Sequence, residues 1–371
     1  METATERPAP PLADSPLGRT IATTRTDIWN DSCDLDELRY ALSFGAVGAT
    51  ANPTIVSDVW KKDPSGWSDW VRALSAERPA ATEVELAWAV VEELSIRGAA
   101  LLEPAFAAHA GRSGRLSVQT DPTLYRSVNA MVEQAAGFDR LAPNIIVKFP
   151  ATRAGVPAME EASYRGISVN ATVSFSVAQA VAAAEAVERG VRRREADGGS
   201  TAAMGPVITL MMGRIEDWLR VQVERDGIVV DPAALAWSGV AVFKRAARIF
   251  EERGFRARLL GAAIRHRLHW SELIGGDVVL TLPSSWQKRF NGSDVEVRPR
   301  MDVPVEATIV AQLERHFPDF VRAYEPDGLT VDEFDGWAPT VRTLRAFIGS
   351  YHDLLHHVSD ALLPDPDRRA G

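Results

Sequence analysis

The sequence predicts an α/β protein, a (β/α)8 barrel with additional C-terminal helices. Three observations lead there. Continuous apolar runs of four to seven residues recur along the chain, the pattern of parallel strands covered on both faces. Helical patterns with start and stop signals separate successive runs. The length, 371 residues with 46% apolar, suffices for one large barrel. Two ordinary domains or a doubly wound open sheet fit the same counts, because periodicity does not show closure.

The candidate strands are 27–30, 47–50, 116–119, 145–149, 167–173, 207–211, 258–261 and 278–282. Between them, 34–44 sets Leu35, Leu38 and Leu42 at helical spacing behind Asp34 as N-cap. An Ala/Val-rich helix over 176–189 stops at Gly190, and one over 241–253 stops at Gly254. Beyond the last strand, 305–317 and 341–358 read as helices, the latter with Leu344, Phe347, Tyr351 and Leu355 on one stripe. Their packing, outside the barrel or across its mouth, is open at this level. The expected organisation is a flexible arm over 1–24, a single barrel with its helical extension over 25–362, and a flexible tail over 363–371.

Composition excludes several classes. Basic residues number 41 and acidic ones 50, a net charge of −9, which weighs against a nucleic-acid partner. No run of 18 apolar residues occurs, so no membrane-spanning helix is expected. The Pro/Ala-rich start lacks a basic-then-apolar leader pattern, and a cytoplasmic protein is the expectation. Cys33 is the only cysteine, so neither an intrachain disulfide nor a thiolate metal cluster is expected. His352, His356 and His357 cluster on a helix without a third-ligand pattern and read as structural or surface residues; no metal and no cofactor is expected. The sequence leaves the oligomeric state open, a homodimer included.

In a parallel barrel, functional side chains gather at the carboxyl ends of the strands. Polar residues there are Asp31, Asn52, Gln119, Lys148, Asn170, Thr172, Thr209, Arg214 and Arg265. Lys148 stands out, flanked by Ile145-Ile146-Val147 and Phe149. Burying an ammonium is costly, and desolvation lowers its pKa toward the neutral amine that attacks carbonyls. The alternative is a lysine paired with a core carboxylate or snorkelling at a strand end. Asp31 serves equally as an acid/base partner or a helix cap, and Asn52-Pro53-Thr54 is a turn signal as much as a binding one. Arg214 and Arg265, taken alone, read as surface arginines.

Several stretches resemble the transaldolase family. They are Asp31-Ser32-Cys33-Asp34-Leu35, Gly48-Ala49-Thr50-Ala51-Asn52-Pro53-Thr54, Val147-Lys148-Phe149-Pro150-Ala151-Thr152, Gly166-Ile167-Ser168-Val169-Asn170-Ala171-Thr172, Gly213-Arg214-Ile215-Glu216-Asp217-Trp218 and Gly261-Ala262-Ala263-Ile264-Arg265. The likeness is colinear over about 26–282. It implies that Lys148 forms a Schiff base with a ketose phosphate and Asp31 is the general base. Thr172 would orient a catalytic water, and Asn52 and Asn170 would bind the hydroxyls of the three-carbon unit. Arg214 and Arg265 would take the sugar phosphate, and Thr209 would supply a hydroxyl beside the phosphate or the rest of the substrate. Departures are Gln119, where a glutamate is usual and which is similar to the fructose-6-phosphate aldolase branch; Ala51, where a hydroxyl residue usually precedes Asn52; Met211 for an aromatic; and Ala263 for a serine. Trp286-Gln287-Lys288-Arg289-Phe290 reads as a solvated loop that could add Lys288 or Arg289 to the phosphate site.

Overall fold

Eight strands, β1 (Asp27–Asn30), β2 (Gly48–Thr50), β3 (Arg115–Gln119), β4 (Ile145–Pro150), β5 (Val169–Thr172), β6 (Val207–Met211), β7 (Arg258–Ala262) and β8 (Val279–Leu282), close into a barrel in chain order. The computed structural model describes residues 12–363, and every neighbouring strand pair in it is parallel. Each strand lies within two residues of its predicted bounds. Closure, which the apolar pattern left open, comes from β8 pairing with β1 over four residues, Asp27 opposite Val279 through Asn30 opposite Leu282.

The barrel interior is a packed core. Trp29, on β1, is fully buried, and a Cβ on Gly48 of the adjacent strand would lie 2.4 Å from its indole. Only glycine fits there. Register then sets the chemistry: Gln119 stands opposite Lys148, and Lys148 opposite Asn170, on three successive strands. In-register neighbours share a face of the sheet, so these three side chains converge.

Several helices depart from the sequence reading. Asp34 does cap Leu35–Ser43, its carboxylate accepting from the amides of Asp36 and Glu37. The helix from Val177, however, runs through Gly190 to Ala196. A Cβ on Gly190 would meet the Glu160 carbonyl oxygen, so this glycine permits close contact with the helix Gly155–Tyr164 rather than a stop. Gly254 does end its helix in the left-handed conformation, φ 62°, but that helix begins at Pro232. The 305–317 pattern ends at His316, and Pro318 opens a separate helix.

The expected loose arm needs correction. Within it, Pro16–Thr23 is a helix, with Ser15 accepting from the Gly18 amide at its start and proline in its first turn. Leu17 is fully buried, and Thr20 accepts a hydrogen bond from the Trp270 indole at 3.3 Å. Pro16, Leu17 and Thr20, at i, i+1 and i+4, fall on one side of the helix and give it its buried face. Residues 1–11 of the arm and 364–371 of the tail lie outside the described residues.

The C-terminal helix Ala338–Leu362 crosses the carboxyl-end rim of the barrel. Thr340 accepts from Gln179, Ser350 from Thr54, and Tyr351 and Leu354 line a small cavity with Asn52 and Gln119.

Candidate active site

The mouth at the carboxyl ends of the strands collects the residues the sequence singled out. Lys148, only 5% exposed, has its pKa lowered to about 8 by burial, and the Asp31 charge opposes that shift through space. The Asp31 carboxyl is raised above the usual carboxylate range, first by burial; Lys148 and a hydrogen bond from Thr50 pull it back. Thr50 donates to Asp31 at 2.6 Å and lies 3.2 Å from the Thr281 hydroxyl, so β2 and β8 together orient the acid. Strand β4 thus supplies a lysine whose pKa is lowered toward neutrality, and the residue just past β1 the acid whose charge it feels.

Asn170 is fully buried between two partners. Its amide donates to Ser117 at 2.9 Å, and its carbonyl accepts from Thr209 at 2.7 Å. Thr209 is therefore a support for Asn170 from β6, and Ser117 a second one from β3. Asn52 caps the helix Pro53–Lys62 by accepting from the Ile55 amide at 3.0 Å, which leaves its amide N–H groups for other acceptors. The turn reading of this residue and the binding one are compatible. Gln119 is buried with its carbonyl oxygen unpartnered, directly across from Lys148. Thr172 sits two residues past Asn170, its hydroxyl 3.9 Å from the Met211 sulfur.

The two arginines differ in state. Asp217 clasps Arg265 in a two-bond fork, 3.0 and 2.7 Å, which holds its pKa up. Arg214 has a buried Nε without a partner, and burial and the neighbouring Arg265 charge lower its pKa. They are neighbours because Gly213 lets the Ala263 carbonyl come against the helix Met212–Asp226; a Cβ there would stand 1.9 Å from that oxygen. Ala263 itself is held at φ 61°. An unsatisfied guanidinium beside a clasped one, at the start of a helix, is suited to an anionic group.

Lys288 and Arg289 do not join them. The predicted loop is the helix Ser284–Asn291, on which both are exposed, Lys288 over the Tyr40 ring at 5.6 Å and Arg289 over Trp286 at 4.8 Å. Of the histidines, His357 stacks on Trp60, with ring centroids 5.7 Å apart. Burial pushes the Cys33 thiol up to about 12, so it stays protonated. A cavity of about 590 Å³ lies at the opposite, amino-terminal end of the barrel, where its charged walls are largely ion-paired.

The sequence reading did not single out Thr50, Ser117, Asp217 or Arg342. Thr50 and Ser117 carried a signal, since a hydroxyl inside an apolar strand needs a partner. Arg342 carried none: only the path of the C-terminal helix brings its charge near Arg214, where it lies 5.7 Å over Trp218.

A closed parallel barrel with a buried lysine and a buried carboxylate at the carboxyl ends of its strands defines the class, a (β/α)8 barrel with an ionisable pair at its mouth. Residues 28–324 match the family described as Transaldolase/Fructose-6-phosphate aldolase, and the chain belongs to that family. It is 30% identical to Transaldolase 2 of Streptomyces avermitilis over 208 residues, 55% of each chain. It is 25% identical to a transaldolase of Parafrankia sp. over 87% of this chain and 95% of that one. It is 29% identical to a transaldolase of Neisseria meningitidis over 68% of this chain and 76% of that one.

Proposed function

We propose that the chain is a transaldolase, moving a dihydroxyacetone unit from a ketose phosphate to an aldose phosphate through a Schiff base on Lys148. The observation that carries this reading is the buried Lys148, its pKa lowered to about 8, facing Asp31. Neutral Lys148 adds to the ketone carbon of fructose 6-phosphate or sedoheptulose 7-phosphate, and loss of water gives the protonated imine. Asp31 takes the C4 hydroxyl proton. The C3–C4 bond breaks, its electron pair moves into the imine, and an aldose phosphate leaves. The enamine then attacks the aldehyde of an acceptor such as erythrose 4-phosphate, and hydrolysis frees the lysine. Asn52 and Asn170 hold the hydroxyls of the bound unit, and Thr172 with Gln119 holds the hydrolytic water. Arg214 and Arg265 take the phosphate. The lysine supplies the electron sink, so the chemistry draws on no further cofactor. The reading places the chain in cytoplasmic sugar-phosphate metabolism of the pentose phosphate type.

One observation favours a second reading. Gln119 cannot exchange a proton at neutral pH as a glutamate does, and this suits an aldolase that releases free dihydroxyacetone. Incubation with fructose 6-phosphate and borohydride should add a reduced three-carbon adduct to the peptide bearing Lys148, absent in Lys148→Ala. An adduct on another peptide, or none, overturns the Schiff-base step. Sedoheptulose 7-phosphate formed from added erythrose 4-phosphate, measured against free dihydroxyacetone, separates transferase from aldolase.

A further inference from the structure

Beside the arginines, the second turn of Met212–Asp226 and the segment after β7, which runs through the short helix Leu268–Ser271, bring Glu216, His266 and His269 together. Their ligand-capable atoms all lie within 4.8 Å of one another. Glu216 Oε2 stands 2.8 Å from His266 Nε2 and 3.7 Å from His269 Nε2. A tetrahedral ion with bonds of about 2.0–2.1 Å sets its ligand atoms roughly 3.4 Å apart, between those two distances. Glu216 is 2% exposed and His269 wholly buried, and the His269 Nε2 that faces the carboxylate has no hydrogen-bond partner. A buried imidazole nitrogen left bare calls for an explanation.

The surroundings fit a ligand set. Arg220 donates twice to Glu216 Oε1, at 3.1 and 2.6 Å, which fixes the carboxylate and leaves Oε2 turned to the histidines. We propose that Glu216, His266 and His269 form a binding site for a divalent transition-metal ion of the zinc class, separate from the lysine mouth. Two imidazoles and one carboxylate are a known donor set for such ions, with a fourth position for water. The sequence conceals the set because about fifty residues separate the glutamate from the His-x-x-His pair.

Ligation has one structural consequence. His269 Nδ1 accepts the Arg265 amide at 3.2 Å. A metal on Nε2 moves the ring proton to Nδ1, and that hydrogen bond gives way. One long neutral hydrogen bond is a small term beside the metal–ligand bonds that replace it. Occupancy is therefore coupled to the backbone that carries Arg265.

Titration of chelator-stripped protein with Zn²⁺, and with Co²⁺ for its visible absorption, tests the site without recourse to activity. The expected result is one ion per chain, a tetrahedral Co²⁺ spectrum, and affinity weaker by about 10-fold or more in Glu216→Gln and His266→Ala. His352→Ala/His356→Ala, which removes an exposed pair at helical spacing, should bind as the parent does. Parent-like affinity in Glu216→Gln and His266→Ala, or loss of binding in the His352/His356 variant, overturns the proposal. X-ray absorption on the zinc-loaded parent protein needs no variant to fold: a shell with two imidazoles supports the site, and one of oxygens alone overturns it.

Discussion

At Lys148 two opposing effects set reactivity, and burial wins over the Asp31 charge. Because the pKa is lowered to about 8, the neutral amine is the minority form below that pH and the dominant form above it. Trapping with cyanoborohydride should therefore fall about tenfold per pH unit below about 8 and level off above it. Asp31→Asn removes the charge that props the ammonium up, so the midpoint should move to lower pH even as turnover collapses. A midpoint that stays in place or rises contradicts the pairing. The arginines allow a second prediction. Asp217 already neutralises Arg265, whereas Arg214 keeps a buried, unpartnered Nε. Arg214→Gln should raise KM for phosphorylated sugars by about 10–100-fold with little change in kcat, and Arg265→Gln should cost less. The reverse order in steady-state kinetics would show that the fork opens on binding.

Among the elements, the joint between β7 and the helix Met212–Asp226 has no slack. Gly213→Ala would drive a methyl group into the Ala263 carbonyl, and should cost about 2–3 kcal/mol in urea unfolding. The same displacement parts Arg214 from Arg265, so KM for phosphorylated substrate should rise with it. The N-terminal helix is likewise part of the packed structure. Leu17→Ala should destabilise by about 3 kcal/mol, read as a lower urea midpoint at unchanged slope. An unchanged midpoint would restore the loose-arm reading.

For the whole molecule, a net charge of −9 must coexist with the proposed phosphate site. Positive charge is gathered locally by Arg214 and Arg342 beside the ion-paired Arg265, Arg342 being delivered by a helix more than 120 residues further along the chain than Arg214. Raising ionic strength from about 0.05 to 0.5 M should raise KM for a phosphorylated donor and leave that for unphosphorylated dihydroxyacetone nearly unchanged. Equal response of both would argue against a local anion site.

The eight strands were legible because a strand covered on both faces must be apolar throughout, and Lys148 because it breaks that rule. The Gly190 stop and the loose arm were misread for a shared reason. A glycine that ends a helix and one that admits a neighbour look alike in sequence, and a short amphipathic helix shows its buried side only when something lies beneath it. The chain by itself carried the motifs whose resemblance pointed to the family, and through residue type and local spacing it determined the succession of strands and helices and the lysine set in an apolar strand. Only the tertiary structure decided closure, the different states of Arg214 and Arg265, the path of the C-terminal helix and the meeting of Glu216 with His266 and His269. Those depend on distances between residues far apart in the chain, which no periodicity encodes.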